Sequence, residues 1–154
     1  TTSARSLHAI VLWEQDKELF LDTSYQRGVV WGKKRQSSLI YSLVVGIPVP
    51  ALVINNRFRA KWDKDIRYAV IDGKQRCTSI LNFMSGKMKV PASWFEMKGK
   101  DVCWDEIDAE QRRYFRSKTI GICEGVLPDL ETEKKVFDII NFGGLQQGEV
   151  DSDL

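Results

Sequence analysis

Asp72-Gly73-Lys74-Gln75-Arg76 places a carboxylate, two cations and an amide around a single glycine. Phosphoryl transfer is mostly positioning and charge neutralisation, and these residue types suit it. On that logic Lys74, Arg76 and, from further up the chain, Arg27 hold phosphate, while Asp72 binds Mg²⁺ or orients water. Tyr68 to Ile71 predicts a short buried strand before the turn. Cys77, Ile80, Leu81 and Met84 follow it at the i, i+3, i+4, i+7 spacing of one helix face. The polar residues therefore occupy a strand-to-helix turn, where unpaired helix N–H groups favour an anion. Gly73 permits a backbone shape or a close approach that a side chain would block. Ordinary turn chemistry accounts for the same residues equally well, since Asp-Gly is a common turn signal. Neither G-x-x-x-x-G-K-[ST] nor G-x-G-x-x-G is present.

A second segment, Thr23-Ser24-Tyr25-Gln26-Arg27-Gly28-Val29-Val30-Trp31, reads as a loop with Gln-Arg set between aromatics. An arginine so placed presents a planar fork to phosphate or carboxylate, or lies exposed with its stem on the tryptophan. Lys33, Lys34 and Arg35 follow at a helix start, the wrong sign for that terminus. With Arg57, Arg59 and Lys61, interleaved with Trp31, Phe58 and Trp62, they make a candidate DNA surface, because aromatics stack on bases. A solvated helix face is the plainer account of the lysines.

The elements that must position these groups are readable in order. Helices are expected over residues 5–15, 33–45, from Cys77 to near Gly86, from Asp108 behind a capping box with Tyr114 and Phe115 inward, and from Pro128. Strands are expected at 20–22, 51–54, 68–71 and 119–123, with 51–54 and 68–71 paired antiparallel across a charged excursion over 55–66. Residues 87–104 read as irregular and aromatic, and the last helix carries Val136, Phe137, Ile139 and Ile140. The acidic tail from Glu149 reads as frayed, and the chain as either a small stand-alone domain or one cut short at its C-terminus. At 154 residues with 43% hydrophobic and 29% charged content, a single domain over 1–154 is expected. A net charge of +2 confines any nucleic-acid binding to local patches. Only His8 is present, which excludes His-dependent triads, HNH-type nuclease centres and most zinc sites. Three cysteines without a C-x-x-C pair predict reduced thiols in a cytoplasm. No apolar run approaches the ~20 residues that cross a bilayer.

The order of these segments resembles the DGQQR-motif family, which includes the N-terminal half of GmrSD-type modification-dependent restriction enzymes and the NTPase half of phosphorothioate-sensing SspE proteins. Tyr25-Gln26-Arg27 with Trp31, then Gly46-Ile-Pro-Val-Pro50, then Tyr68 to Arg76 with Thr78, and finally Val136 to Gly144 carry the resemblance. It implies a compact α+β domain similar in fold to ParB and sulfiredoxin, a small mixed sheet flanked by helices. It implies nucleotide binding, NTP hydrolysis with Mg²⁺ in some members, and action on DNA in restriction, modification or phage defence beside a nuclease domain or partner protein. Carried over by position, Asp72, Gln75 and Arg76 are the expected catalytic residues, with Asp72 as metal ligand. Tyr25, Gln26, Arg27, Trp31, Gly73, Lys74, Arg76, Thr78 and Asn141 are then expected at the nucleotide, and Gly144 matches the late motif. Lys74 stands where the family usually has Gln, which suits phosphate binding better than hydrolysis. The competing readings are a ParB-like nuclease or DNA-modification factor, and a non-catalytic interaction module. If one composite site exists, Arg27 should lie near Arg76 in an electropositive pocket walled by Trp31.

Overall fold

The computed structural model describes residues 1–62 and 66–142. Among these, five strands form one mixed sheet in the order β1-β7-β3-β4-β2. They are β1 (Thr2–Ser6), β2 (Leu19–Phe20), β3 (Leu52–Asn56), β4 (Tyr68–Asp72) and β7 (Thr119–Gly125). β3 and β4 pair antiparallel, as expected, with a register irregularity between Val53 and Ile54. β3 runs parallel to β7, β2 parallel to β4, and β1 antiparallel to β7. The helices are α1 (Leu7–Gln15), α2 (Lys33–Val45), α3 (Lys74–Met84), α4 (Ala109–Ser117) and α5 (Leu130–Phe142). The architecture is α+β.

Period-2 alternation explains how the sheet serves two layers. Leu52, Ile54, Val70, Ile120 and Ile122 share the main core with Ile10, Ile40, Leu43, Cys77, Ile80 and Phe83 from α1, α2 and α3. Ala69 and Ile71 are buried too but stand outside that cluster, on the face where α5 meets β4. At the far end of α3, Phe83, Phe95, Trp104 and Phe115 pack ring against ring with centroids 5.3–6.0 Å apart. Residues 87–104 are thus ordered by aromatic packing, with a small hairpin of β5 (Val90–Pro91) and β6 (Asp101–Val102).

Several expectations give way. β1 went unread because Thr2-Ser-Ala-Arg-Ser6 has no apolar alternation; it is an edge strand, half-exposed or exposed throughout. The strand expected at 20–22 is only Leu19–Phe20. Asp108 makes no side-chain cap, and a reciprocal box forms earlier instead, between Cys103 and Glu106. Tyr114 is 65% exposed while Phe115 is buried, because adjacent residues on a helix face about 100° apart. Ile139 of α5 faces outward as well. Residues 63–65 of the charged excursion, Gly144 and the acidic tail lie outside the described residues.

Candidate functional site

β4 ends at Asp72 and α3 begins at Lys74, so the chain turns from strand to helix at Gly73 alone. Gly73 has φ +113°, and a Cβ there would run into Leu52 Cδ2 with Arg76 Nη2 3.3 Å away. Both the backbone conformation and the close approach require glycine. No side chain caps α3, which leaves its first-turn N–H groups facing outward from the helix end. Arg76 folds back across the turn. Its Nη2 donates to the Ala51 carbonyl at 2.9 Å and lies 3.4 Å from Asp72 Oδ2, while its buried Nε has no hydrogen-bond partner. Lys74 is buried, and its Nζ meets Asp22 Oδ1 at 2.8 Å.

Forty-five residues up the chain, the Gln-Arg loop closes on the same turn. Gln26 Nε2 donates to the Val70 carbonyl of β4. Gln75 Oε1 accepts from the Val30 and Trp31 amides at 3.0 and 3.1 Å, and its Nε2 donates to the Gly28 carbonyl at 3.2 Å. One glutamine side chain therefore holds the 28–31 backbone against α3. Gln26, Arg27 and Trp31 from the loop, Ile71 to Arg76 from the turn, and Phe137 and Asn141 from α5 line one cavity of about 210 Å³. Arg27 and Arg76 share this pocket, as expected for a composite site, and Trp31 walls it. Asn141 spends its Nδ2 on the Phe137 carbonyl at 2.8 Å.

α5 is tied down by a group that sequence reasoning missed. Glu133 is fully buried. Its Oε1 accepts from Asn55 Nδ2 and Arg57 Nε, both at 2.7 Å. Its Oε2 accepts from Arg57 Nη2 at 2.7 Å and Tyr25 Oη at 3.0 Å. A signal was present: Glu133 precedes Val136, Phe137 and Ile140 by three, four and seven residues, so it lies on the helix's inward stripe. Burial, and after it the Glu133 charge, pushes the Tyr25 hydroxyl well above its ordinary pKa, so Tyr25 stays a neutral donor.

These contacts reassign several expected residues. Tyr25 does not line the cavity; it bonds Glu133 and packs its ring 5.0 Å from Phe137. Thr78 is half-buried one turn along α3, also outside the lining. Gln75, expected to be catalytic, has its amide committed to the loop. Arg57, expected to meet DNA, is buried in a bidentate pair with Glu133 and stacked 4.1 Å from the Trp62 ring centroid. Trp62 in turn donates its indole N–H to the Leu127 carbonyl at 2.9 Å, so it is not a free stacking platform. Arg59 is exposed with Glu124 3.8 Å away, beyond the far end of β3 from the pocket. Lys33, Lys34 and Arg35 are exposed at the start of α2, beside Trp31. The expected cation set is split between two ends of the sheet.

Fold and site define an α+β domain with a small cationic pocket at a strand–glycine–helix turn. A family model described as "GmrSD restriction endonuclease, N-terminal domain" matches residues 11–151, and the chain belongs to that family. Solved structures similar to it include the C-terminally truncated chromosome-partitioning protein ParB from Caulobacter crescentus complexed with CTP-γ-S. The TM-score is 0.48 at 13% identity, covering 95% of this chain and 55% of that one. This chain thus spans about half the length of that truncated chain. No curated protein matches the sequence. Among the described residues no helix is long and apolar enough to cross a membrane.

Proposed function

We propose that the domain binds a nucleoside triphosphate through its phosphates and serves as the nucleotide-responsive part of a DNA restriction or defence system. The carrying observation is the composite pocket, in which Arg27, Lys74 and Arg76 converge on an uncapped helix start. Asp22 and Asp72 offset two of these cations, which leaves a net positive pocket that an anion would neutralise further. The buried, unpartnered Nε of Arg76 is a further donor wanting an acceptor. A cavity of about 210 Å³ is below the ~300–1,000 Å³ of whole small-molecule sites. It suits the phosphate tail, with sugar and base outside along Trp31 and Phe137.

Mg²⁺ is usually held by one or two carboxylates plus substrate phosphates. Asp72, 39% exposed at the cavity, fits that role and would supply charge neutralisation. With Gln75 committed to the loop, Asp72 and Arg76 are the groups left at the turn to orient water and stabilise charge. DNA would be met at Lys33 and Lys34, on the pocket side, in company with a nuclease domain or partner protein.

Arg27 gives the cleanest test, because it is exposed at the pocket while Arg76 also holds the Ala51 carbonyl. Isothermal calorimetry with Mg²⁺ and ATP, GTP, CTP or UTP should detect binding, weakened at least tenfold in Arg27→Ala with an unchanged melting temperature. Equal affinity in that variant for every nucleotide bound would remove Arg27 from the site. No binding of any of the four by the unaltered protein would overturn the reading.

A further inference from the structure

Lys74 and Asp22 form an unequal pair. The lysine side chain is 8% exposed and the aspartate 84%, with Nζ and Oδ1 2.8 Å apart. Among the described residues Asp22 is the only ion-pair partner of Lys74. Lys74 lines the cavity and Asp22 does not, so the carboxylate reaches the ammonium from beside the pocket. A buried ammonium without an anion is costly, whereas a carboxylate already in water loses little on release. A protonated Lys74 therefore favours an anion beside it, and Asp22 is one that can leave.

Taking the phosphate-binding reading as its basis, we infer that Asp22 is a built-in stand-in for phosphate on Lys74, which a ligand must displace to gain that cation and which thereby sets the pocket's affinity. Arg27, Lys74 and Arg76 against Asp72 leave two positive charges; Asp22 cuts that to one. A polyphosphate, with its charge spread over a tail, takes Lys74 and frees Asp22 into solvent. The loop carrying Asp22 runs directly into Thr23 and the Gln26–Arg27 wall, so the exchange acts on the segment that bounds the pocket.

Tripolyphosphate and orthophosphate probe this without a nucleobase. In calorimetry, Asp22→Asn should bind tripolyphosphate about tenfold tighter than the unaltered protein, with a smaller gain for orthophosphate. In a Lys74→Gln background the same Asp22→Asn change should shift affinity less than twofold. Unchanged or weaker tripolyphosphate binding in Asp22→Asn overturns the inference, weaker binding marking Asp22 as a ligand-supporting group. An equal gain in the Lys74→Gln background overturns it too, since Asp22 would then act without Lys74. If the unaltered protein binds neither tripolyphosphate nor any Mg²⁺–nucleoside triphosphate, the phosphate-binding reading itself fails.

Discussion

Gln75 spends both ends of its amide on backbone groups of the segment that carries Val30 and Trp31. The planar amide suits this task, because it offers an acceptor and a donor from one group. A glutamate would lose the donor, and an alanine all three bonds. Two of the bonds are exposed and one is partly buried, each contributing about 0.5–1.5 kcal/mol, enough to order a loop but not to hold a domain together. Gln75→Ala should therefore leave the global unfolding midpoint nearly unchanged while amide exchange at Val30 and Trp31 rises at least tenfold. Full protection at those amides in the variant would show that the loop is held by something else. Nucleotide affinity should fall as well, because Trp31 and Arg27 lose their fixed position.

At the scale of the element, α5 docks differently from the other helices. Its fully buried residue is an acid, Glu133, and its apolar residues Leu130, Ile139 and Phe142 are exposed. The helix is fixed by the four hydrogen bonds to Glu133, reinforced by the Tyr25–Phe137 ring contact. Because Tyr25 precedes Gln26-Arg27 and Glu133 precedes Phe137 and Asn141, the same carboxylate ties together two walls of the pocket. Removing one partner of a buried ion pair leaves the other charge uncompensated, at a cost of about 3–5 kcal/mol. Glu133→Ala should lower stability to urea by that amount. Glu133→Gln, which keeps the shape and one acceptor, should lose less. A loss under about 1 kcal/mol in Glu133→Ala would mean that the helix is held by its apolar contacts after all.

For the whole molecule, stability at alkaline pH is set in part by a thiol in the main core. Cys77 is fully buried, and burial pushes its pKa from 9.0 up to about 12. A raised pKa means the unfolded chain releases its proton first. The stabilisation is complete below pH 9 and is lost as pH rises towards 12, by about 1.4 kcal/mol per unit for one proton. Urea melts between pH 9 and 11 should show this slope, and Cys77→Ala should remove it against the same background of other groups. An identical slope in the two proteins would assign the alkaline loss elsewhere. The same burial makes Cys77 unreactive to thiol reagents in the native protein at pH 8, where Cys103 and Cys123 are half-exposed.

What the sequence determined by itself was local. The i, i+3, i+4 spacing of Ile40, Leu43 and Val44, with Leu39 beside them, defined α2, and Gly46 stopped it in the left-handed conformation expected of such a cap, φ +85°. Tyr68 to Ile71, the Asp-Gly step and the apolar face from Cys77 defined the β4–Gly73–α3 turn, because each signal lies within a few residues of the structure it dictates. Three ordered motifs pointed to one pocket, and Arg27, Trp31, the 72–76 turn and Asn141 do line it together. Only the tertiary structure decided which polar residue faces which partner. Arg57 and Arg59 look alike in the sequence, but the chain leaves β3 into a turn at 57–60, and the arrival of Glu133 claims Arg57 while Arg59 stays exposed. Lys74 looked like a free phosphate-binding cation until the fold brought Asp22, 52 residues away in sequence, within 2.8 Å. Charge and spacing in one dimension carry no information on such pairings, which depend on where strand order and helix docking place distant side chains.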